Sequence, residues 1–269
     1  MNDDGALRRR LERERRARLE AEAIAERVTS ELYGSHQQLQ RANNELQAVN
    51  QSLREFVAVA SHDLRGPLTS ILGLASTLTQ LGDRVPPEKQ TRFLGIIERQ
   101  AQHLEHMIEE LLTVSRIEAG ALETHAEVVK LAESVSRVVE DFGHRARGVR
   151  VEVNEARALV DPDHLQRILF NYVGNALKYG APPISVEARH AGEWVEVVVR
   201  DSGRGVPDEF RPRLFDKFAR GETSGEVEGT GLGLSIVRGL ARANGGDTWY
   251  EQNRPRGACF GVRLRHPAA

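Results

Sequence analysis

Apolar residues recur at intervals of three and four along the N-terminal part of the chain, the spacing that gathers them on one face of an α-helix. Residues 6–55 contain no proline and, apart from Gly34, no glycine, so one long helix can form there. The apolar seam extends over about seven heptads, with interruptions at Glu14, Arg18 and Ser35, and predicts a parallel coiled coil. The alternative is a single amphipathic helix that packs on its own domain.

A helical hairpin is predicted next. Its first helix is expected to end near residues 81–83, where a glycine favours a stop, and its second helix runs from about 88 to 117. Apolar residues line one stripe of each helix, which is too much apolar surface for a single hairpin to leave in water. Two chains would bury both stripes in a four-helix bundle, so the pattern predicts a homodimer.

Beyond a short hinge at 118–122, helical and alternating segments follow one another. Helices are predicted at about 131–142, 161–180 and 232–243, the second with Asp161 as its N-cap and Pro162 in its first turn. Alternating apolar residues predict strands near 149–153, 184–189, 193–200, 248–251 and 259–264. This order predicts an α/β sandwich with helices on one face of a mixed sheet, and an α+β chain overall.

Length and charge limit the domain organisation and the partners. With 269 residues there is room for two modest domains and a connector. We expect a coiled-coil signalling linker at 1–45, a dimerisation hairpin at 46–119 and a second domain at 123–266. Basic and acidic residues nearly balance, at 37 and 39, so neither nucleic acid nor an anionic membrane is indicated as a partner.

Cysteine usage and hydropathy indicate the compartment. Cys259 is the only cysteine, which excludes an internal disulfide and fits a reducing cytoplasm. The sequence has no run of 18 apolar residues and no signal peptide. We therefore expect a cytoplasmic chain without a transmembrane segment.

The first candidate for chemistry is His62, which falls outside the apolar stripe of its predicted helix and is followed by Asp63. A neutral imidazole is a nucleophile near pH 7, and an adjacent carboxylate can accept its other ring proton and fix which nitrogen attacks. For an isolated His-Asp pair, a solvated histidine on a helix face is the alternative. A second site that supplies an electrophile would favour the nucleophile.

Such a site is indicated further along the chain. Asn171 and Asn175 lie four apart in a predicted helix, so both amides project from one face, and neutral oxygens suit Mg2+. Two solvent-facing asparagines are the alternative. Asp201 ends a predicted strand before Gly203 and Gly205. A carboxylate there can accept a hydrogen bond from an exocyclic amine, while glycines let a flat ligand approach the backbone.

Three alternate glycines, Gly229, Gly231 and Gly233, precede the last predicted helix. Backbone amides at such a helix start form an anion site for phosphates. The spacing differs from the dinucleotide fingerprint GxGxxG, and no Gly-Lys-Ser/Thr of a Walker loop follows. The polar stretch at 221–228, before these glycines, predicts a mobile segment.

In this order, the segments resemble the H, N, G1, F and G2 boxes of bacterial two-component sensor histidine kinases, over roughly residues 39–266. The resemblance implies a HisKA-type dimerisation domain followed by an ATP-binding domain of the GHKL type. It also implies transfer of the γ-phosphoryl group of ATP to a histidine, and from there to an aspartate in the receiver domain of a response regulator. The matching segments are His62-Asp63-Leu-Arg-Gly-Pro67, Asn171 to Tyr179, Asp201-Ser-Gly203-Arg-Gly205, Phe215 to Phe218, and Gly229-Thr-Gly231-Leu-Gly233.

The resemblance implies a role for each of these residues, with ATP and Mg2+ as cofactors. His62 would be the phosphoacceptor, with Asp63 as its orienting or general-base partner. Asn175, with Asn171 nearby, would hold the metal, and Asp201 would pair with the adenine amine. The other residues implied to bind ATP are Lys178, Tyr179, Gly203, Gly205, Phe215, Phe218, Arg220, Gly229, Thr230, Gly231, Leu232 and Gly233.

One position departs from the family pattern. Where many members have Thr or Asn three residues after the acidic residue, this chain has Gly66. The family associates that side chain with positioning the water that dephosphorylates the regulator, so Gly66 argues against the phosphatase half of the usual bifunctional activity. Two other functions share parts of the pattern: a GHKL-type ATPase and a catalytically silent dimeric signalling scaffold.

Overall fold

The computed structural model describes residues 3–219 and 230–268. The first helix, α1 (Asp3–Leu81), is continuous and contains Pro67 in its interior. The chain divides between Ala58 and Val59 into two compact units. None of the helices in the described ranges combines the length and the apolar character that crossing a bilayer requires.

In the first unit, α1 exposes an apolar stripe. Leu32, Leu39 and Leu46 follow one another at seven-residue intervals, and their side chains are 70, 71 and 67% exposed. Leucines at this interval are typical of a coiled-coil seam. The single chain leaves this part of the seam uncovered, whereas the side chains at the predicted interruptions Glu14 and Ser35 are outside the described set.

The second unit begins with the helical hairpin that the sequence predicts. Leu81 ends α1, and Gly82 follows with a φ of +47°, a conformation that favours glycine. A short 3-10 turn, Gly82–Arg84, leads into α2 (Pro87–Glu118). Gln90 Nε2 closes the turn by donating to the carbonyl oxygen of Val85 at 2.9 Å.

The hairpin buries part of its apolar surface and exposes the rest. Met107 and Val114 are buried at 3% exposure each. Large apolar side chains on both helices remain exposed in the single chain, which is the surface that a second hairpin would cover in the expected bundle. These are Leu68, Leu72, Leu94, Ile108 and Leu112.

The strands of the second unit form one mixed sheet, which has seven strands within the described residues. They are β1 (Glu127–Lys130), β2 (Val149–Val153), β3 (Arg157–Val160), β4 (Ile184–Ala191), β5 (Trp194–Arg200), β6 (Asp247–Gln252) and β7 (Ala258–Arg265). Their order is β1-β3-β7-β5-β4-β2, with β6 also paired to β7, and the β2–β4 pair is parallel. Five of these strands confirm the sequence prediction. The prediction missed β1 and β3, because four-residue strands are too short for alternation to be recognised.

Three helices accompany the sheet: α3 (Leu131–Asp141), α4 (Pro162–Tyr179) and α5 (Gly233–Ala243). Helix α4 packs on β4 and β5, while α5 packs on β6 and β7. Tyr172 of α4 is fully buried, and its hydroxyl donates to the carbonyl oxygen of Gly261 in β7 at 2.9 Å. A helical region followed by an α/β sheet domain confirms the predicted fold class.

A buried polar cluster joins the start of α4 to the end of α5. Asp161 is the N-cap that the sequence predicts, and its Oδ1 accepts from the amides of Asp163 and His164. Its Oδ2 accepts from the amide of His125 at 2.8 Å, and its own amide donates to Asn244 Oδ1 at 2.9 Å. The cluster therefore ties together α4, α5 and the segment that leads from the hairpin into the sheet.

The cluster determines which role Nδ1 of His164 takes in hydrogen bonding. Asn244 Nδ2 lies 3.0 Å from His164 Nδ1, and because an amide nitrogen only donates, the ring nitrogen must accept. Burial lowers the pKa of His164 below its ordinary value. Burial alone would raise the pKa of Asp161, but the amide of His125 and the other hydrogen-bond donors lower it overall.

We expect His164 to make the free energy of unfolding fall on acidification. The folded ring binds a proton less readily than the unfolded ring, whose pKa is near 6.5, so its contribution is complete above that pH and is lost below it. His164→Gln should reduce the fall in the free energy of unfolding between about pH 7 and pH 5, measured by urea unfolding, since the titration of the ring is removed. His144→Gln, at an exposed histidine, should keep the decline. Equal pH profiles for His164→Gln and the unmodified chain would contradict this assignment.

Candidate functional site

His62 and Asp63 form a pair on the surface of α1. The His62 side chain is 84% exposed, and its Nδ1 lies 3.1 Å from Oδ1 of Asp63, whose side chain is 16% exposed. In a neutral ring, Nδ1 would donate to the carboxylate, which only accepts, and the lone pair would then be on Nε2. The structure thus presents Nε2 on an exposed ring.

One helical turn further along, Gly66 leaves open space. A Cβ added at this position would meet no atom within 4 Å. The neighbouring Thr69 hydroxyl donates to the carbonyl oxygen of Arg65 at 2.8 Å. The absence of a side chain at position 66 is therefore not imposed by crowding among the described residues.

Asp201 lies directly after β5 in a turn enclosed by backbone. It is 4% exposed, and its Oδ1 accepts from the amide of Gly203 at 2.7 Å. A Cβ on Gly203 would lie 2.9 Å from that oxygen, and a Cβ on Gly180 would lie 2.6 Å from Asp201 Cβ. Gly205 has a φ of +72° and lies against the Gln252 side chain. The predicted acid and both predicted glycines therefore meet in one tight turn.

The start of α5 lies beside Asn171 of α4. Asn171 Nδ2 donates to the carbonyl oxygen of Arg167 at 3.0 Å, and Asn171 Oδ1 occupies the place where a Cβ on Gly233 would be. Gly231 has a φ of +70°, and its own Cβ would meet the backbone of Phe218 at 2.9 Å. Four predicted site residues are thus found in close pairs, Asn171 with Gly233 and Phe218 with Gly231, and Leu232 is buried at the N-cap of α5.

The environment of Asn171 at the start of α5 is compatible with binding of a magnesium ion. Asn171 presents a neutral oxygen next to the N-terminus of α5, and Asn175 is half-buried one turn further along α4. Amide oxygens beside an anion-binding helix start suit a hard cation that shares its ligands with phosphates. Among the described residues there is no cluster of three or more His, Cys, Asp or Glu that could hold a metal instead.

The remaining predicted residues surround these two centres. Lys178 Nζ lies 5.3 Å above the ring of Tyr179, which is 52% exposed. The Arg238 guanidinium lies 4.9 Å above the ring of Phe215, and Phe218 has a φ of +57°, unusual for a residue with a side chain. Arg220, Gly229 and the stretch predicted to be mobile are outside the described residues.

Helix α2 contacts the loop before α5, which the sequence did not predict. Thr230 Oγ1 donates to Glu110 Oε2 at 2.6 Å and accepts from the amide of Leu232 at 3.2 Å. Glu110 Oε1 lies 3.5 Å from His106 Nε2, and the hydrogen bond with Glu110 raises the pKa of that histidine. Nearby, Arg167 Nη1 donates to the hydroxyl of Thr113 on α2 at 2.7 Å. No local pattern indicates the Glu110–Thr230 and Thr113–Arg167 pairs, because their partners are far apart in sequence.

The sequence analysis also missed the residues that support the Asp201 turn from the other side. Asn253 and Arg256, between β6 and β7, donate to backbone carbonyls of that turn. The one signal available was Gly257 immediately before a strand, because a glycine there often marks a close approach of two backbones.

Two family matches correspond to these regions. Residues 52–120 match the "His Kinase A (phospho-acceptor) domain", and residues 160–268 match the "Histidine kinase-, DNA gyrase B-, and HSP90-like ATPase" family. The first range contains His62 and the hairpin, and the second contains the Asp201 turn and α5.

Relatives and solved structures agree with these matches. The sensory/regulatory protein RpfC of Xanthomonas campestris pv. campestris is 35% identical over 241 residues, covering 83% of this chain and 33% of RpfC. A structure of full-length ShkA in complex with AMPPNP has a TM-score of 0.58 at 28% identity, over 80% of this chain and 47% of ShkA. The Acinetobacter baumannii histidine kinase AdeS shares the fold, with a TM-score of 0.64 at 22% identity over 77% of this chain and 98% of AdeS. This chain therefore spans a third of the length of the curated relative RpfC.

Proposed function

The chain belongs to the two-component sensor histidine kinases, and from this premise we propose that it phosphorylates His62 with ATP and passes the phosphoryl group to an aspartate of a response regulator. The observation that carries the proposal is the exposed His62 ring whose Nδ1 is held by Asp63. An imidazole fixed in this tautomer offers Nε2 to an approaching phosphorus atom.

The proposed reaction consists of two in-line displacements. His62 Nε2 forms a bond to the γ-phosphorus while the bond from that phosphorus to the β,γ-bridging oxygen breaks, and ADP leaves with the electron pair. Nδ1 keeps its proton and donates it in the hydrogen bond to Asp63, whose carboxylate stabilises the positive charge that develops on the ring. A carboxylate oxygen of the regulator then attacks the phosphorus, and the N–P bond breaks to return the neutral histidine.

The nucleotide pocket is proposed around the Asp201 turn and the start of α5. Asp201 would accept from the adenine amine, and the segment Gly231-Leu232-Gly233 would lie against the phosphates. The structure of ShkA in complex with AMPPNP supports this proposal, because it contains a nucleotide analogue in a related fold. The further residues proposed to contact ATP are Lys178, Tyr179, Gly203, Gly205, Phe215, Phe218, Thr230 and, outside the described residues, Arg220 and Gly229.

We propose Asn171 and Asn175 as the residues that hold Mg2+. When bound, the ion would neutralise charge on the β- and γ-phosphates. The chain's own part is to position the donor: Asn171 Oδ1 lies against Gly233, which fixes the distance between the asparagine helix and the phosphate loop.

The proposed assembly is a homodimer that receives a signal through α1. The exposed seam of leucines in α1 and the exposed stripes of the hairpin support pairing of two chains. We propose 1–45 as the signalling linker, 46–119 as the phosphoacceptor domain and 123–266 as the ATP-binding domain. The partners would be an upstream sensor and a receiver domain, in the cytoplasm, where ATP is available.

Labelling with γ-labelled ATP and Mg2+ tests the proposal. The purified chain should acquire an acid-labile, base-stable label that is lost in His62→Gln, because phosphoramidates hydrolyse in acid. His103→Gln, at a half-buried histidine of α2, is the matched control and should keep the label. Phosphate release without labelling would favour a GHKL-type ATPase, and no turnover would favour a silent scaffold.

Glu110 is expected to compete with the nucleotide in the contact described above. Its carboxylate accepts a hydrogen bond from the Thr230 hydroxyl and lies near Gly233, where the phosphates are proposed to bind. Glu110→Gln removes the negative charge, so ATP should bind about fivefold more tightly, corresponding to ~1 kcal/mol for the lost charge-assisted hydrogen bond.

Displacement of a fluorescent ATP analogue measures this change in affinity. Glu109→Gln, at the neighbouring exposed carboxylate, is the matched control and should leave the affinity unchanged. Equal affinities for Glu110→Gln and the unmodified chain would show that the contact does not oppose nucleotide binding.

Gly66 is expected to limit dephosphorylation of the regulator. A side chain fits at this position, so Gly66→Thr should fold, and its hydroxyl could hold the attacking water as in relatives with threonine there. Loss of phosphate from a phosphorylated receiver domain should accelerate several-fold. Gly66→Ala stabilises the helix by at most about 1 kcal/mol but adds no hydroxyl, so it should not accelerate this loss. Equal rates in the two variants would refute the role of the hydroxyl.

A further inference from the structure

The Asp201 turn is held by hydrogen bonds to three consecutive backbone carbonyl groups. Asn253 Nδ2 donates to the carbonyl oxygen of Asp201 at 2.7 Å. Arg256 Nε lies 3.2 Å from the carbonyl oxygen of Ser202 and 3.3 Å from that of Gly203. Two side chains of the loop between β6 and β7 therefore hold a turn more than fifty residues away in sequence.

Asn253 is itself fixed in this loop. Its backbone amide donates to the carbonyl oxygen of Gly257 at 3.0 Å, which closes the loop between the two strands. Gly257 packs directly on the Asp201 carbonyl, so closely that no side chain fits there. Asn253 is half-buried, whereas Arg256 is exposed. The shorter bond, from the less exposed side chain, is therefore the stronger constraint on Asp201.

The second carboxylate oxygen connects this support to the nucleotide. Oδ1 of Asp201 accepts from the Gly203 amide, so Oδ2 is the oxygen left for an exocyclic amine. We propose that Asn253 is a positioning residue for recognition of the adenine amine, because it holds the backbone from which the Asp201 carboxylate projects. This inference rests on the proposed function and extends it to a residue outside the motifs.

Deleting the amine from the ligand makes the test specific. The full chain is titrated with ATP and with purine riboside triphosphate, which lacks the 6-amino group, in competition with a fluorescent nucleotide. The unmodified chain should prefer ATP by at least tenfold, because a buried carboxylate without its partner is costly. Asn253→Asp keeps the shape but removes the donor, and Asn253→Ala removes the whole amide. Both variants should lose most of the preference while purine riboside triphosphate binds nearly as before.

Control measurements separate positioning from simple destabilisation. Asn154→Ala, at an exposed asparagine after β2, should retain the preference. The inference is overturned if both position-253 variants bind the two nucleotides equally more weakly or keep the full preference for ATP. It is also overturned if both fail to fold by circular dichroism, because Asn253 then has a structural role. If the unmodified chain binds ATP without preferring it, the pairing of Asp201 with the amine fails as well. If it binds neither nucleotide, the proposed function fails at the pocket itself.

Discussion

The buried side chain of Asn244 is the constraint on which the geometry of the proposed nucleotide pocket depends. It accepts from the amide that starts α4 and donates to His164 in α4 and to the Leu240 carbonyl in α5. Helix α4 carries both asparagines of the pocket, and α5 begins at the glycine loop. Because every polar atom of this amide has a partner, the two helices are fixed relative to each other rather than merely packed.

The proposed nucleophile and the proposed nucleotide pocket belong to different structural elements. His62 lies on the surface of α1, whereas the Asp201 turn and the glycine loop belong to the sheet domain. Contacts between the hairpin and this domain include that of Glu110 with Thr230, on the phosphate side of the proposed pocket, and that of Thr113 with Arg167. Within the proposed function, the hairpin is therefore coupled to the phosphate end of the nucleotide through Thr230, while Asp201 at the adenine end is held by residues of the sheet domain.

The candidate site illustrates which contacts a sequence can reveal. His62 and Asp63 are adjacent, so the sequence predicted their contact, and Asp201 and Gly203 lie close enough in sequence to be assigned to one site. Glu110 and Asn253 were not predicted, because glutamates on helices and asparagines in loops are common and usually contact water. Only their partners, Thr230 and the Asp201 carbonyl, make them noteworthy.

The sequence by itself determined the helices, five of the strands and the family, because helix periodicity, the Asp161 cap and the order of the five matching segments are local properties of the chain. It also determined that His62 would lie outside the apolar stripe. Only the tertiary structure decided which strands are neighbours, that Asn171 faces Gly233, and that the loop after β6 supports Asp201. Those contacts join residues far apart in sequence, and their geometry follows from packing of the whole domain, which no local pattern specifies.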